Sequence, residues 1–264
     1  MNESSPLVSI VIPLYNAENY IEETLQSVLN QTYKNYEVIV VDNASKDASL
    51  DTVNRIEQQF ERFKLIRCEQ NSGGPASPRN IGIRHSQGEF IAFLDSDDVW
   101  YPEKLEQQIQ YVNNEGGNFL CSSARLIDDH SAYLSVSRNK LNKYYGIKDE
   151  LFSNRVVTSS VLVSRSLLGD LEFDESQELV TCEDYFLWLN LLNKAECKFI
   201  HIGQELIKYR VLSSSLGNVD GKYRFAMKYL LASVKFLVES KSKGLVHIVL
   251  LSSSLRFIKL ALSK

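Results

Sequence analysis

Asp95, Asp97 and Asp98 place three carboxylates within four positions, directly behind the unbroken apolar run Phe90 to Leu94. Such a run reads as a buried strand rather than a half-exposed one, whose residues would alternate. Adjacent carboxylates repel, and burying one without compensation costs several kcal/mol or forces it to protonate. Acids gathered at a strand's end therefore want a cation. Carboxylate oxygens suit hard divalent ions, magnesium or manganese, which keep several waters and share their remaining positions with substrate phosphates. The competing reading is a solvated turn that caps the helix predicted from Pro102. Position favours a site, because open α/β sheets take their ligands at the carboxyl ends of their strands.

Two other groups could join these acids. In NSGGPASPRNIGI, two glycines precede Ser77, a predicted N-cap, and Pro78, predicted at the first helical position. Arg79 then stands at a helix N-terminus, where unpaired amides and the helix dipole attract phosphate. An ordinary capped helix with a surface Arg fits the same residues. Glu183 and Asp184 open a strongly periodic helix, with Tyr185, Trp188, Leu189 and Leu192 on one face. By spacing alone, acids in a first turn serve equally as complements to the dipole.

The elements that would hold these groups follow from periodicity. Leu7 to Ile12 predicts a strand stopped at Pro13, before Tyr15 and Asn16, and Asn16 is a predicted cap for a helix with Ile21, Leu25, Val28 and Leu29 inward. Tyr36 to Val41 predicts a second strand ending on Asp42, followed by a helix carrying Val53, Ile56 and Phe60 and a short strand near Lys64 to Arg67. This is βαβαβ, the pattern of a parallel sheet. Further strands are predicted at Phe119 to Ile127 and Thr158 to Val163, with a strand pair around Gly203 within Ile200 to Val211. Asp128 to Asn142 is expected as a loop, Ser213 to Ser215 as a turn, and the chain from Asp220 as basic helices over Lys222 to Glu239 and Leu245 to Leu262.

With 264 residues, 44% hydrophobic and 23% charged, the chain can bury a full core as one large domain or one domain with an appendage. A net charge of −4 argues for neither nucleic acid nor a strongly acidic ligand. From Gly221 onward, however, nine Lys or Arg face the single acid Glu239. The four cysteines form no CxxC pair and have no histidine at zinc spacing, as in a reducing compartment. The N-terminal residues carry no secretory signal, and Leu245 to Leu255 is too short to span a bilayer, so a cytoplasmic location is expected.

No GxGxxG follows the first strand and no GxxxxGK[ST] occurs, which removes the fingerprints of dinucleotide-dependent oxidoreductases and P-loop enzymes. No histidine sits in a recognisable nucleophile setting. What remains is equipment for stabilising a phosphate leaving group while a carboxylate deprotonates a nucleophile. LVSIVIPLYN, YEVIVVDNASKD, RNIGI with FIAFLDSDD, and CEDYFLWL occur in that order, and over Val8 to Tyr209 the chain resembles the family-two glycosyltransferases of bacterial surface polysaccharide biosynthesis.

The resemblance implies a GT-A-like nucleotide-binding α/β domain, with a mostly parallel central sheet flanked by helices, over residues 1–219, and a basic helical appendage over 220–264. It implies an inverting hexosyltransferase using a UDP-linked hexose, a divalent cation, Mn2+ or Mg2+, and a glycan or lipid-diphosphate-linked acceptor, with no role for nucleic acid. Position by position, Pro13 and Tyr15 would line the nucleobase and ribose, Asp42 would accept from the base, and Arg79 would approach the diphosphate. Asp95 would face the ribose or the cation, and Asp97 would ligate the cation. Of the Glu183–Asp184 pair, Asp184 would be the general base. The chain departs from the family at Leu212, where many members carry a histidine after the pair that is here Tyr209 and Arg210, so the resemblance carries no metal or diphosphate contact over to that position. A stripe of Ile248, Leu251, Leu255, Ile258 and Leu262, with Lys235, Lys241, Lys243, Arg256, Lys259 and Lys264 around it, would touch the inner face of the cell membrane, the competing reading being that it packs on the catalytic domain with its charges solvated. The alternative classes are a sugar nucleotidyltransferase, against which PLYNAEN offers neither glycine nor basic residue, a glycosidase with two carboxylates, and a non-catalytic glycan-binding module.

Overall fold

The computed structural model of the protein describes residues 5–136, 145–152, 154–212 and 221–262. Strand β1 (Val8–Leu14) is buried along its whole length, which explains why its residues do not alternate. It lies between β2 (Tyr36–Asp42) and β4 (Phe90–Phe93), parallel to both, and β3 (Phe63–Arg67) continues the parallel sheet beyond β2. Helices α1 (Ile21–Leu29), α2 (Ser49–Ile56) and α3 (Ala76–His85) are the crossovers. The chain thus winds outward through β2 and β3, then returns to the other side of β1. That reversal opens a crevice at the carboxyl ends of β1 and β4.

Beyond β4 the sheet is mixed. Next come β5 (Val99–Trp100), α4 (Lys104–Glu115), β6 (Phe119–Ile127), β7 (Tyr133–Val136), α5 (Ile147–Phe152), β8 (Leu162–Ser164), α6 (Arg165–Leu168), α7 (Glu183–Leu192) and β9 (Phe199–Arg210). Antiparallel β8 links β4 to β6, β6 runs parallel to β9, and β5 and β7 pair antiparallel with β9 and β6. Helices α8 (Lys222–Glu239) and α9 (Val246–Leu262) close the described chain.

Two packing details position the site. Helix α3 comes close to β1 because residue 82 is glycine: a Cβ there would stand 2.3 Å from Val11 Cγ1. Helix α7 is anchored by Trp188, whose ring packs against Phe119 at 5.3 Å and Phe173 at 5.8 Å, with Phe93 of β4 meeting Phe173 edge-on at 5.1 Å. The first turn of α7 is thereby held near the end of β4.

Several expectations are corrected. Thr158 to Ser160 is a 3-10 turn, and only Leu162–Ser164 pairs as a strand. Phe199 to Arg210 is one strand rather than a pair around Gly203, with its irregularity against Ser122 and Ser123 of β6. Asn16 does not cap α1: it has φ 45° and its side chain accepts from the Lys46 amide at 2.8 Å, while Tyr20 occupies the cap position. Helix α3 starts at Ala76, so Pro78 lies within its first turn and Ser77 is no cap. Part of the expected 128–142 loop forms β7, and the rest, like the turn Ser213 to Ser215 and the boundary at 219/220, lies outside the described residues. In the tail, part of the apolar stripe packs inward. Ile248 is buried with Val249, Phe236, Leu151 and Tyr185 in a core shared between α5, α7, α8 and α9. Lys235 pairs with Asp174, and the Arg256 guanidinium lies 4.4 Å over the Tyr229 ring.

Candidate active site

In register, β1 and β2 end together (Leu14 opposite Asp42), whereas β4 ends earlier, opposite Val11, so the residues that follow Phe93 come beside the end of β1. Tyr15 leaves β1 there, 46% exposed, and Pro13 is buried just before it. Asp42 is buried, its Oδ1 accepting from the Ser45 amide at 3.1 Å. Asn43 beside it holds the Ser72 amide at 3.0 Å and so fixes the loop that leads into α3.

Arg79 is buried at 4% exposure and reaches two acids from different parts of the chain. Its Nη2 donates to Asp95 Oδ1 at 2.6 Å and its Nη1 to Glu183 Oε1 at 2.9 Å. The guanidinium lies 5.2 Å from the Phe173 ring centre. Burial works against its charge, but Asp95 and Glu183 outweigh burial and hold it protonated. Helix α3 therefore presents Arg79 as a clamp between the β4 end and the α7 start. Removing one partner of such a buried pair typically costs ~3–5 kcal/mol.

Asp184 is held at both oxygens. Thr158 Oγ1 donates to Oδ2 at 2.7 Å, and the Tyr185 amide donates to Oδ1 at 2.6 Å. Burial raises the Asp184 carboxyl above its ordinary range, with Arg79 and Thr158 pulling it back. A general base is most effective with a pKa lifted toward the working pH, so the direction suits the role. The Glu183 carboxyl is also pushed up, by burial and then by Asp184, against the pull of Arg79. Its Oε2 accepts from the Thr181 amide at 2.7 Å, which braces Thr181 at φ 81°, a costly backbone for a β-branched residue.

The acidic turn divides by role. Asp98 is buried and structural: its Oδ1 accepts from the Arg210 amide at 2.8 Å, and its Oδ2 has no hydrogen-bond partner. Arg210 in turn donates from Nε to the Asp97 carbonyl at 2.8 Å and from Nη2 to Glu23 at 2.7 Å, so the end of β9 fixes the turn. The Asp97 carboxyl, half-buried, is pushed up to about 6 by burial and the charge of Asp95. Among the described residues no group of three or more His, Cys, Asp or Glu is arranged to hold a metal ion. Asp97 and Asp95 offer a two-carboxylate, all-oxygen set. That set fits a hard cation that completes its shell with water and phosphate oxygens.

Asp95, Arg79, Glu183 and Asp184 are thus brought to one place, and Tyr15, Pro13 and Asp42 lie along the neighbouring strand ends. The sequence reading gave no role to Thr158, Ser159 or Arg210. Arg210 carried a signal, as the charged residue of the Tyr-Arg pair ending an apolar strand; Thr158 and Ser159 carried none.

Residues 9–168 match the family model described as glycosyl transferase family 2. The chain is 36% identical over 218 residues, 80% of each chain, to the UDP-Glc:alpha-D-GlcNAc-diphosphoundecaprenol beta-1,3-glucosyltransferase WfgD of Escherichia coli. It is 31% identical over 231 residues to TuaG of Bacillus subtilis strain 168, a glycosyltransferase named for teichuronic acid biosynthesis, covering 86% of this chain and 87% of that one. Among solved structures, residues 1–349 of S. aureus TarS in complex with UDP superpose with a TM-score of 0.68 at 25% identity, covering 87% of this chain. The chain spans 65% of that fragment's length.

Proposed function

The chain belongs to glycosyl transferase family 2, and we propose that it moves a hexose from a UDP-linked donor to a glycan or lipid-diphosphate-linked sugar, with inversion, in assembling a bacterial surface polysaccharide. The observation that carries this reading is the contact chain from Asp95 through Arg79 to Glu183, which ties the acids at the β4 end to the helix turn bearing Asp184. A single displacement needs one base on the acceptor and charge compensation at the leaving diphosphate, with no protein nucleophile. Asp184 takes the proton of the acceptor hydroxyl as its oxygen bonds to the anomeric carbon. The bond to the diphosphate breaks on the opposite face, so an α-linked donor gives a β-linked product.

Tyr15 stacks on the nucleobase, Pro13 lines the ribose side, and Asp42 accepts a hydrogen bond from the base. Arg79 lends its charge to the diphosphate end while holding Asp95 toward the ribose. A divalent cation, Mn2+ or Mg2+, held by Asp97 with Asp95, would supply positive charge at the departing diphosphate. Glu183 is ion-paired with Arg79, whereas among the described residues Asp184 accepts only from the neutral Thr158 hydroxyl and the Tyr185 amide, which favours Asp184 as the base. The donor and acceptor classes draw support from WfgD, whose name gives UDP-Glc and a GlcNAc-diphosphoundecaprenol, and from the UDP in the TarS complex. A lipid-linked acceptor stays in the bilayer, so the catalytic part, 1–219, works in the cytoplasm against the inner membrane face, with the basic helices of 220–264 toward that surface. Among the described residues no helix is long and apolar enough to cross a membrane.

The test is a nucleotide-sugar panel, UDP-glucose and UDP-GlcNAc included, offered with a GlcNAc-diphospho-lipid acceptor. Transfer from a UDP sugar and a β anomeric coupling in the product's NMR spectrum are expected. An α-configured product from an α-linked donor would overturn inversion. Nucleotide binding without turnover would leave only a binding module, and free sugar released from a nucleotide-free glycan would indicate a glycosidase.

A further inference from the structure

The turn Thr158–Ser160 touches both halves of the site. Thr158 Oγ1 donates to Asp184 Oδ2 at 2.7 Å, and the next residue, Ser159, accepts the Asp95 amide on its Oγ at 3.0 Å. One residue on, Ser160 Oγ accepts the Ser122 amide of β6 at 3.2 Å. The backbone of the turn is fixed from behind: Trp100 Nε1 donates to the Ser159 carbonyl at 2.7 Å and Gln108 Nε2 to the Ser160 carbonyl at 2.8 Å. All three residues are buried, Ser159 and Ser160 at 0% exposure and Thr158 at 6%. The Thr158 and Ser159 hydroxyls therefore meet Asp184 of α7 and the Asp95 amide just past β4, while Ser160 Oγ accepts from β6 and donates to the Val157 carbonyl at 2.7 Å. A strand would send successive side chains to opposite faces. The 3-10 turn brings Thr158 and Ser159 to the two acids instead.

We infer that Thr158 is a positioning residue for transfer: through its hydroxyl it holds the Asp184 carboxylate in a fixed orientation relative to the donor end of the site, whose strand Ser159 fixes from the same turn. The inference rests on the reading of Asp184 as the general base. With Oδ1 on the Tyr185 amide and one lone pair of Oδ2 on Thr158, the carboxylate cannot rotate, and its remaining lone pairs keep a constant direction for the acceptor hydroxyl. A base misplaced by rotation loses rate without losing substrate. Thr158 touches neither donor nor acceptor in this account, so its effect must pass through Asp184.

Thr158→Val keeps shape and removes the hydroxyl, and Thr158→Ser keeps the hydroxyl. A hydrogen bond to a charged group contributes about 1.5–3 kcal/mol, which is roughly ten- to a hundredfold in rate at about 1.4 kcal/mol per factor of ten. Kinetics are read with the donor and acceptor pair selected by the panel, UDP-glucose with a GlcNAc-diphospho-lipid being tried first. The valine should lower kcat by that factor with the donor KM within about twofold of wild type, and the serine should restore most of the rate. If the valine does not fold, Thr158→Ala removes the same hydroxyl and is read in the same way. In an Asp184→Asn background, removing the Thr158 hydroxyl should cost nothing more. A wild-type kcat without the hydroxyl, a loss confined to KM, no recovery in the serine, or a full further loss in the Asp184→Asn background would each overturn the inference. An Asp184→Asn enzyme that keeps its rate overturns instead the assignment of the base, an outcome separable from the Thr158 results.

Discussion

Asp184 and Asp97 differ in what surrounds them, and their variants should differ accordingly. Asp184 is oriented by two donors on a well-anchored helix, so Asp184→Asn should bind donor normally while kcat falls about 100- to 10,000-fold, the usual worth of a general base. A collapse of donor affinity at unchanged saturating rate would make it a binding residue and pass the chemistry to Glu183. Burial, and after it the charge of Asp95, pushes the Asp97 carboxyl up to about 6. Asp97→Ala should abolish transfer yet melt at or above the wild-type temperature, because a carboxyl disfavoured by burial and by Asp95 is removed. Wild-type enzyme in chelator should lose activity and regain it with manganese or magnesium; full activity of Asp97→Ala in chelator would end the metal assignment. Glu150 carries a third prediction. It is wholly buried on α5, and burial lifts its carboxyl from 4.5 to about 8. A carboxyl with a higher pKa folded than unfolded binds more protons in the native state, so its contribution to stability is greatest below about pH 4.5 and declines as pH rises toward 8. Glu150→Gln should accordingly melt several degrees above wild type at alkaline pH and show no gain at pH near 4.5, where calorimetry at the two pH values decides; a difference independent of pH would refute it.

Elements were legible where one segment's own residues decide its structure. The unbroken apolar run of β4 and the largely apolar β1 and β2 read directly as buried strands, and the spacing of Tyr185, Trp188 and Leu189 marked α7 as a helix packed on the core. The DxD acids could be read as a site because the strand before them was certain to be buried. What stayed hidden depends on distant partners. Thr158 to Val163 has the composition of a strand, and only bonds from Trp100 and Gln108, more than fifty positions away, turn its first half into a 3-10 turn. Asn16 has a capping side chain, but the Lys46 amide claims it. Arg79 could be placed at a helix start, while its ion pair with Glu183 joins residues 104 positions apart. The approach of α3 to β1 has a test of its own. Because a Cβ at position 82 would stand 2.3 Å from Val11 Cγ1, Gly82→Ala should lower stability by ~1–3 kcal/mol, the usual cost of overpacking, and should slow transfer by moving Arg79. Adding Val11→Ala removes the clashing methyl and should return part of both losses. A denaturation midpoint for Gly82→Ala equal to that of wild type would show that the helix seat is looser than the geometry requires.

At the scale of the molecule, the basic C-terminal helices do two things at once. Their inner faces support the candidate site: Ile248 and Val249 of α9 and Phe236 of α8 pack with Tyr185 and Leu189 of the helix that carries Asp184, and Arg256 covers Tyr229 beside Tyr185. Their outer faces stay apolar, with Met227, Leu231 and Val238 on α8 and Leu251, Leu255 and Ile258 on α9 each more than 40% exposed. A helix pair that is apolar outside, lies in a stretch from Gly221 onward with nine basic residues against one acid, and is not long and apolar enough to span a bilayer suits the proposed surface of an anionic membrane. Because the inner face is part of the core, deleting the last helix is the wrong experiment. Removal of 244–264 should uncover Leu151, Tyr185 and Leu189, lower the melting temperature and abolish transfer, whatever the outer face does. Point changes separate the two roles. Leu251→Gln, Leu255→Gln and Ile258→Gln together alter only exposed side chains, so melting temperature and transfer to a short water-soluble acceptor should hold. Partition onto vesicles containing anionic lipid should drop about tenfold or more, since each buried aliphatic side chain is worth on the order of 1.5 kcal/mol or more. Binding should also weaken with salt, because the basic residues contribute about 1 kcal/mol each near such a surface only while unscreened. Full-length protein that fails to co-sediment at low salt, or a triple variant that co-sediments as well as wild type, would remove the membrane from this account and leave the outer face to another partner.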